Sequence, residues 1–299
     1  MLKETTPVLD DNLVLQARDV HFDWTSLPAH WVPGEPLATH VMNVLHLLLP
    51  AGERWFVEVF KQSLPLIQDE KLRRDVLGFI GQEAMHARAH TGVLEHFTAT
   101  GLDCTPFTDQ VEWFFGRVLG DRPGLRGGTA TEWLVERLAI IAAIEHVTAF
   151  MGDWILNADG LDRAGTDPTM LDMLRWHGAE EVEHRSVAFD LFTHVDGRYR
   201  RRVQAMTITG PMLLMLWRRG VRFFYATDPA LRHLSRPKLG DLKDTAARGV
   251  TPAISHVNRK IAAYYSPRYH PSREGSTEQA VAYLASSPAA QAAEHGHHA

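Results

Sequence analysis

Two Glu-x-x-His tetrapeptides, Glu83-Ala84-Met85-His86 and Glu181-Val182-Glu183-His184, stand about a hundred residues apart in strongly helical stretches. Residues i and i+3 share a helix face, so each tetrapeptide turns one carboxylate and one imidazole the same way. Burying such a pair is unfavourable unless something satisfies it. Helical bundles that hold two iron or manganese ions take one Glu from each of two helices and a Glu-x-x-His from each of the other two. Glu53 and Glu145 complete that set. Glu53 shares a stripe with Val57, Phe60 and Leu64, and Glu145 falls on an inner face marked by Leu134, Leu138, Ile141, Thr148 and Gly152. The intervals Glu53 to Glu83 and Glu145 to Glu181 each span one helix–turn–helix, as in a duplicated hairpin with a two-fold site between its halves.

One Glu-x-x-His alone is weak, because both residues are common on exposed helices. Two, each with a core-facing Glu upstream, point to metal. Glu58 is a poorer choice than Glu53, lying about 140° round the helix from that stripe. Glu180 competes with Glu181, which is preferred; Glu183 is expected in solvent or against Arg185. His90, one turn beyond His86, is a seventh ligand or a supporting partner, and His177, one turn before Glu181, is similarly placed. His146 is expected to hydrogen-bond a ligating carboxylate, and Asp190 to orient His184 or to be a surface charge. Arg137 and Arg185 are expected to balance carboxylate charge. Phe56, Phe60, Phe79 and Phe150 are expected to line a substrate pocket, although such aromatics suit a plain core equally.

A carboxylate-rich, imidazole-poor donor set suits iron or manganese, mixed Mn/Fe included, over metals that favour thiolate. Bridging carboxylates would hold two ions about 3.5–4 Å apart. Such a pair can activate dioxygen or hydrolyse a substrate, and the residues alone do not separate these chemistries. The leading expectation is a di-iron enzyme that oxidises or oxygenates a small apolar or amphipathic molecule, with dioxygen and an electron donor as partners. The alternatives are a metal-dependent hydrolase and a non-enzymatic iron-binding or storage protein.

The elements that must position these residues are helices. Residues 1–35 read as irregular, broken by Pro7, Pro28, Pro33 and Pro36. Helices are predicted over about 36–49, from Pro50 to 64, over 70–100 behind an Asp69 N-cap, and over 107–119. Others follow from a Thr129/Glu132 capping box to 157, over 168–195 behind Asp167-Pro168, and over 199–226. Shorter helices near 242–264 and 276–286 are expected to wrap the bundle, and 287–299, with His295, His297 and His298, to be a disordered tail. No period-two strand is evident. The expected architecture is therefore all-α: a bundle over 36–226 that holds the metal site, with a C-terminal wrap over 227–286.

With 299 residues, 45% of them hydrophobic and 22% charged, the chain can bury a large core. A net charge of −5 argues against nucleic acid. Cys104, the only cysteine, excludes an intramolecular disulfide and a thiolate metal site, and favours a reducing cytoplasm. The polar N-terminus does not read as a signal peptide. The apolar centre of 199–226 is too short for a bilayer span, but its flanking arginines leave peripheral membrane contact open, as homodimerisation is.

At these residues the chain is similar to a bacterial family of predicted metal-dependent hydrolases within the ferritin-like superfamily. The matching segments are Leu49-Pro50-Ala51-Gly52-Glu53-Arg54, Phe79 to His86 with His90, Ala143 to Thr148, and Trp176 to Asp190, with a later stretch, Tyr265 to Pro271. The resemblance covers about 30–285. It implies a ferritin-like four-helix bundle and a metal site at Glu53, Glu83, His86, His90, Glu145, Glu181 and His184.

Overall fold

A computed structural model describes residues 13–296, and among them there is no strand. The principal helices are α1 (Pro36–Ser63), α2 (Glu70–Ala99), α4 (Gly128–Leu156) and α6 (Pro168–His184). Each has a sequence reason to begin where it does. Pro36 occupies the first turn of α1, and the Asp69 carboxylate accepts the Leu72 amide at the start of α2. The Asp167 carboxylate likewise accepts the Thr169 and Met170 amides of α6. The capping box expected for α4 is not formed: Gly127, at φ +54°, is its N-cap, while Glu132 pairs with Arg198 and Arg201.

α1 packs on α2 and α4 on α6, and contacts between α1 and α4 and between α2 and α6 complete a ring of four. Short elements join them: α3 (Thr105–Trp113) with a π-helical turn, Phe114–Val118, and α5 (Asp159–Arg163). α7 (Val187–Val195) continues from α6, and α8 (Tyr199–Thr227) crosses α1 and α4. α9 (Leu239–Ala247), α10 (Ile254–Tyr264), α11 (Thr277–Leu284) and α12 (Pro288–Gly296) wrap the outside.

Three boundaries differ from the expected ones. α1 runs straight through Pro50, which forfeits one ladder hydrogen bond; burial of both flanking turns outweighs that loss. The predicted single helix over 168–195 is interrupted at Arg185-Ser186, where the Arg185 guanidinium donates to the Val182 carbonyl, the ladder's acceptor for residue 186. The expected disordered tail contains α12, whose Ala289 and Ala290 are buried against α6, with the Ala289 amide on Asp172. His297 and His298 lie outside the described residues.

The segment before α1 is irregular, as expected, yet closely held. It runs along α2, where side chains on Gly78 and Gly81 would collide with Leu15 and Ala17. No helix among the described residues is long and apolar enough to cross a membrane.

α4 and α6 approach most closely at Gly152 and Gly178. A Cβ on Gly152 would lie 2.4 Å from the Gly178 carbonyl oxygen, which is backbone and cannot swing away. Gly152→Ala is therefore expected to destabilise the fold by about 1–3 kcal/mol despite the better helix propensity of Ala. Gly116→Ala, with nothing within 4 Å of the added carbon, should cost far less. Paired denaturant melts check the difference.

Candidate metal centre

Glu53 comes from α1, Glu83 and His86 from α2, Glu145 from α4, and Glu181 and His184 from α6, and all six are buried. Their donor atoms, with those of His90 and His177, interlock into overlapping groups, each spanning no more than 4.8 Å: Glu53/Glu83/His86, Glu83/Glu145/His184, His86/His177/Glu181 and Glu53/His90/His177. Eight atoms of the six residues have no hydrogen-bond partner among the described residues: both oxygens of Glu53 and of Glu83, His86 Nδ1, Glu145 Oε2, Glu181 Oε2 and His184 Nε2. Orphaned groups at this density, buried and mutually facing, are rare in a native core.

The imidazoles are each held with one nitrogen turned inward. His86 Nε2 lies 2.9 Å from Glu180 Oε2, an acceptor, so it carries the proton. Its Nδ1 then faces Glu83 Oε1 and Glu181 Oε1, each at 3.6 Å. Gln82 does the same for His184. Its amide nitrogen donates to Glu183 Oε2 at 3.0 Å, which turns Gln82 Oε1 toward His184 Nδ1 at 2.9 Å. His184 Nε2 is left facing Glu83, Glu145 and Glu181 at 3.4–3.5 Å. Such outward acceptors are what an imidazole ligand needs.

Behind both acceptors stands Arg18. Its guanidinium donates to Glu180 Oε1 at 2.7 Å and to Glu183 Oε2 at 3.0 Å. Arg18 escaped the sequence reading because the segment around it has no periodicity. The available signal was Glu180 and Glu183 themselves, two further acidic residues on a buried helix that required a cation from elsewhere.

Some of the remaining residues lie where the sequence put them and others do not. Glu181 rather than Glu180 enters the cluster, and Glu58 is exposed and paired with Lys61. Glu183 is buried against Arg18, neither in solvent nor on Arg185. Arg137 meets Asp121 and Gln62, and Arg185 meets Thr277 and backbone carbonyls, so neither cation balances the cluster. His146 lies against the Lys260 carbonyl and the Tyr269 hydroxyl, and Asp190 against His270. Of the four phenylalanines, Phe56 lines the cavity beside Glu181, Phe79 packs edge-on against His184 and stacks on Phe60, and Phe150 packs on His256.

His90 shares a ligand-spaced group with Glu53 and His177, and both of its ring nitrogens meet other imidazoles. His177 Nε2 donates to Glu181 Oε1 at 2.8 Å, so its Nδ1 accepts from His90 Nε2 at 2.8 Å, and His90 Nδ1 accepts from His46 Nδ1 at 2.7 Å. Every N–H in this chain points toward Glu181. His177, with Nε2 also 3.6 Å from Glu53 Oε1, is closer to the cluster than His90.

Burial, and then the neighbouring carboxylates, push Glu53 and Glu83 well above the usual carboxylate range and Glu145 to about 7. Burial works against charge on Glu181 and His184 too, but their mutual attraction holds the first low and the second high. Burial, reinforced by neighbouring imidazoles, depresses His46 to about 3 and His177 to about 4.

A separate group, His30, His40 and Asp228, also has ligand-like spacing. Trp31 Nε1 donates to Asn43 Oδ1 at 2.7 Å, which turns the Asn43 amide nitrogen to His40 Nδ1 and puts the His40 proton on Nε2, toward Asp228 at 2.8 Å. That nitrogen is already committed, and the group pins the end of α8 to α1.

A family model described as "Predicted metal-dependent hydrolase" matches residues 16–275. No curated protein and no solved structure matches.

Above about pH 6.5 unfolded histidines are neutral, so His46, His90 and His177 no longer distinguish folded from unfolded chain. Glu53, Glu83, Glu145 and His184, all raised, then bind more protons when folded. Without metal, stability is expected to fall as pH rises from about 6.5 to about 8. Saturating Mn2+ should abolish that fall, as melts across this range would register.

Proposed function

The chain belongs to the family of predicted metal-dependent hydrolases, and from that premise we propose that the buried cluster holds two divalent cations and hydrolyses a small molecule. The observation that carries the reading is the set of eight unsatisfied donor atoms in one dry core. Glu53, Glu83, His86, Glu145, Glu181 and His184 would hold the ions, in the ferritin-like arrangement of one Glu from each of two helices and Glu-x-x-His from the other two. Iron or manganese suits this set. Bound there, the cations supply Lewis acidity and lower the pKa of water.

The chain's own residues do the rest. Glu180 and Gln82 fix the two imidazoles, and Thr148 Oγ1 donates to Glu145 Oε1 at 3.2 Å. A cavity of about 70 Å3, lined by Phe56, Leu174 and Met151 among others, reaches His177 and Glu181 and keeps that side of the cluster apolar. His177 is placed to deliver a proton to a leaving group from Nε2. Its Nδ1 accepts from His90 Nε2, which keeps the proton on Nε2, and His90 is fixed in turn by His46.

Glu180→Gln should weaken metal affinity about 10–100-fold, because the substitution removes a charged acceptor from His86. The metal-loaded protein should turn over members of an ester and phosphoester panel without oxygen. His177→Gln should lower kcat roughly 100-fold with KM little changed, and Glu83→Gln should abolish metal retention in elemental analysis. A protein that retains no metal, or a loaded one that hydrolyses nothing, overturns the reading.

A second reading, oxygen activation by an iron pair, is favoured by the donor set of four carboxylates and two imidazoles. Oxygen uptake by the reduced iron form, with no anaerobic hydrolysis, would select it.

A further inference from the structure

We infer that the cavity bounded by α8, α9 and α10 binds a single-chain anionic amphiphile, its chain directed inward and its charged head at the rim. The inference deepens the hydrolytic reading of the carboxylate cluster, on which it rests.

This outer cavity has a volume of about 620 Å3, within the range of small-molecule sites. Its walls are apolar, with Leu213, Val221, Leu242, Val257 and Ile261 among them, and no carboxylate lines it. Four cations do: Arg218 and Arg222 from α8, and Arg236 and Lys238 from the segment before α9. All four are exposed, and none makes an ion pair among the described residues. Arg218 and Arg222 stand one turn apart, where like charges repel. In a protein of net charge −5, four uncompensated cations around one apolar mouth create a local positive potential that draws an anion.

The cavity leads toward the cluster. Val147, Met151, Leu213 and Trp217 line both it and the smaller cavity whose far end is His177, Gly178 and Glu181. A molecule held by its head at the rim would extend an apolar chain between these four side chains to the metal ligands. A compact polar anion would find almost nothing polar inside, and a neutral hydrocarbon would leave the rim cations unanswered. Only a molecule with both parts meets both surfaces. The bond to be cleaved then lies at the inner end. If it is an ester, water's oxygen joins the acyl carbon, the acyl–oxygen bond breaks, and the leaving alkoxide takes the proton.

The test is calorimetric titration of the metal-loaded full chain with sodium dodecanoate below its micelle concentration, with 1-dodecanol in parallel. Dodecanoate should bind at one saturable site, more tightly than the alcohol. Arg222→Glu with Arg236→Glu, both at exposed positions, should weaken dodecanoate by about tenfold or more, equivalent to about 1.4 kcal/mol, leave the alcohol unaffected, and leave metal content unchanged. Val257→Trp should weaken both ligands by filling the chain's volume. Equal affinity for acid and alcohol, indifference to the charge reversal, or binding only to anionic vesicles would overturn the inference; the last result would make the basic rim a membrane-surface contact. Loss of metal with dodecanoate binding intact would instead overturn the hydrolytic reading and leave the cavity's ligand as assigned.

Discussion

Four carboxylates and two imidazoles face one another in a space closed to water, and the fold is arranged around that constraint. In a low-dielectric interior each uncompensated charge costs several kcal/mol, and adjacent carboxylates raise one another's proton affinity further. The protein alone answers this only in part. His184 and Glu181 attract each other, while burial and then the neighbouring carboxylates push Glu53 and Glu83 well above the usual carboxylate range. Eight atoms of the six residues have no hydrogen-bond partner among the described residues.

Around this centre a second ring decides which face each imidazole presents. Glu180 and Glu183 lie on the same helix as Glu181 and His184 but point away from the cluster, toward Arg18. A single guanidinium thereby sets the orientation of His86 directly through Glu180, and of His184 through Glu183 and Gln82. The irregular N-terminal segment is thus part of the site's construction. Glycines along α2 let it lie close enough for Arg18 to reach across. The same logic distinguishes the cluster from His30, His40 and Asp228, where hydrogen bonds commit the inward nitrogen to a proton.

The outer helices do different work on different sides. α11 and α12 cover α6 with small apolar side chains and hydrogen bonds to Asp172. α8, α9 and α10 instead leave space between them, floored by the side chains that separate it from the cluster. Close packing over α6 contrasts with open volume beside α4, an apolar space bordered by cations and not by the carboxylates that dominate the cluster.

Much of this was legible in the sequence because it repeats along the chain. Helical periodicity located α2, α4 and α8 to within a residue or two, Asp167-Pro168 located the start of α6, and the paired Glu-x-x-His tetrapeptides with Glu53 and Glu145 named the six residues that converge. Local patterns are set by covalent spacing, so a helix face can be read from them. Where one helix ends under the influence of another's side chains cannot be. Pro50 did not break α1, and Arg185 interrupted the helix after α6, because tertiary burial and a side-chain donor overrode local preference. The pairing of His90 with two imidazoles, the entry of His177, and the parts played by Arg18, Arg137 and His146 depended on which hydrogen-bond partner came near, a matter of distances across the chain. The sequence by itself determined which groups turn inward; the tertiary structure decided which nitrogen each imidazole offers, because a ring's proton follows the nearest acceptor and that acceptor arrives from a distant part of the fold.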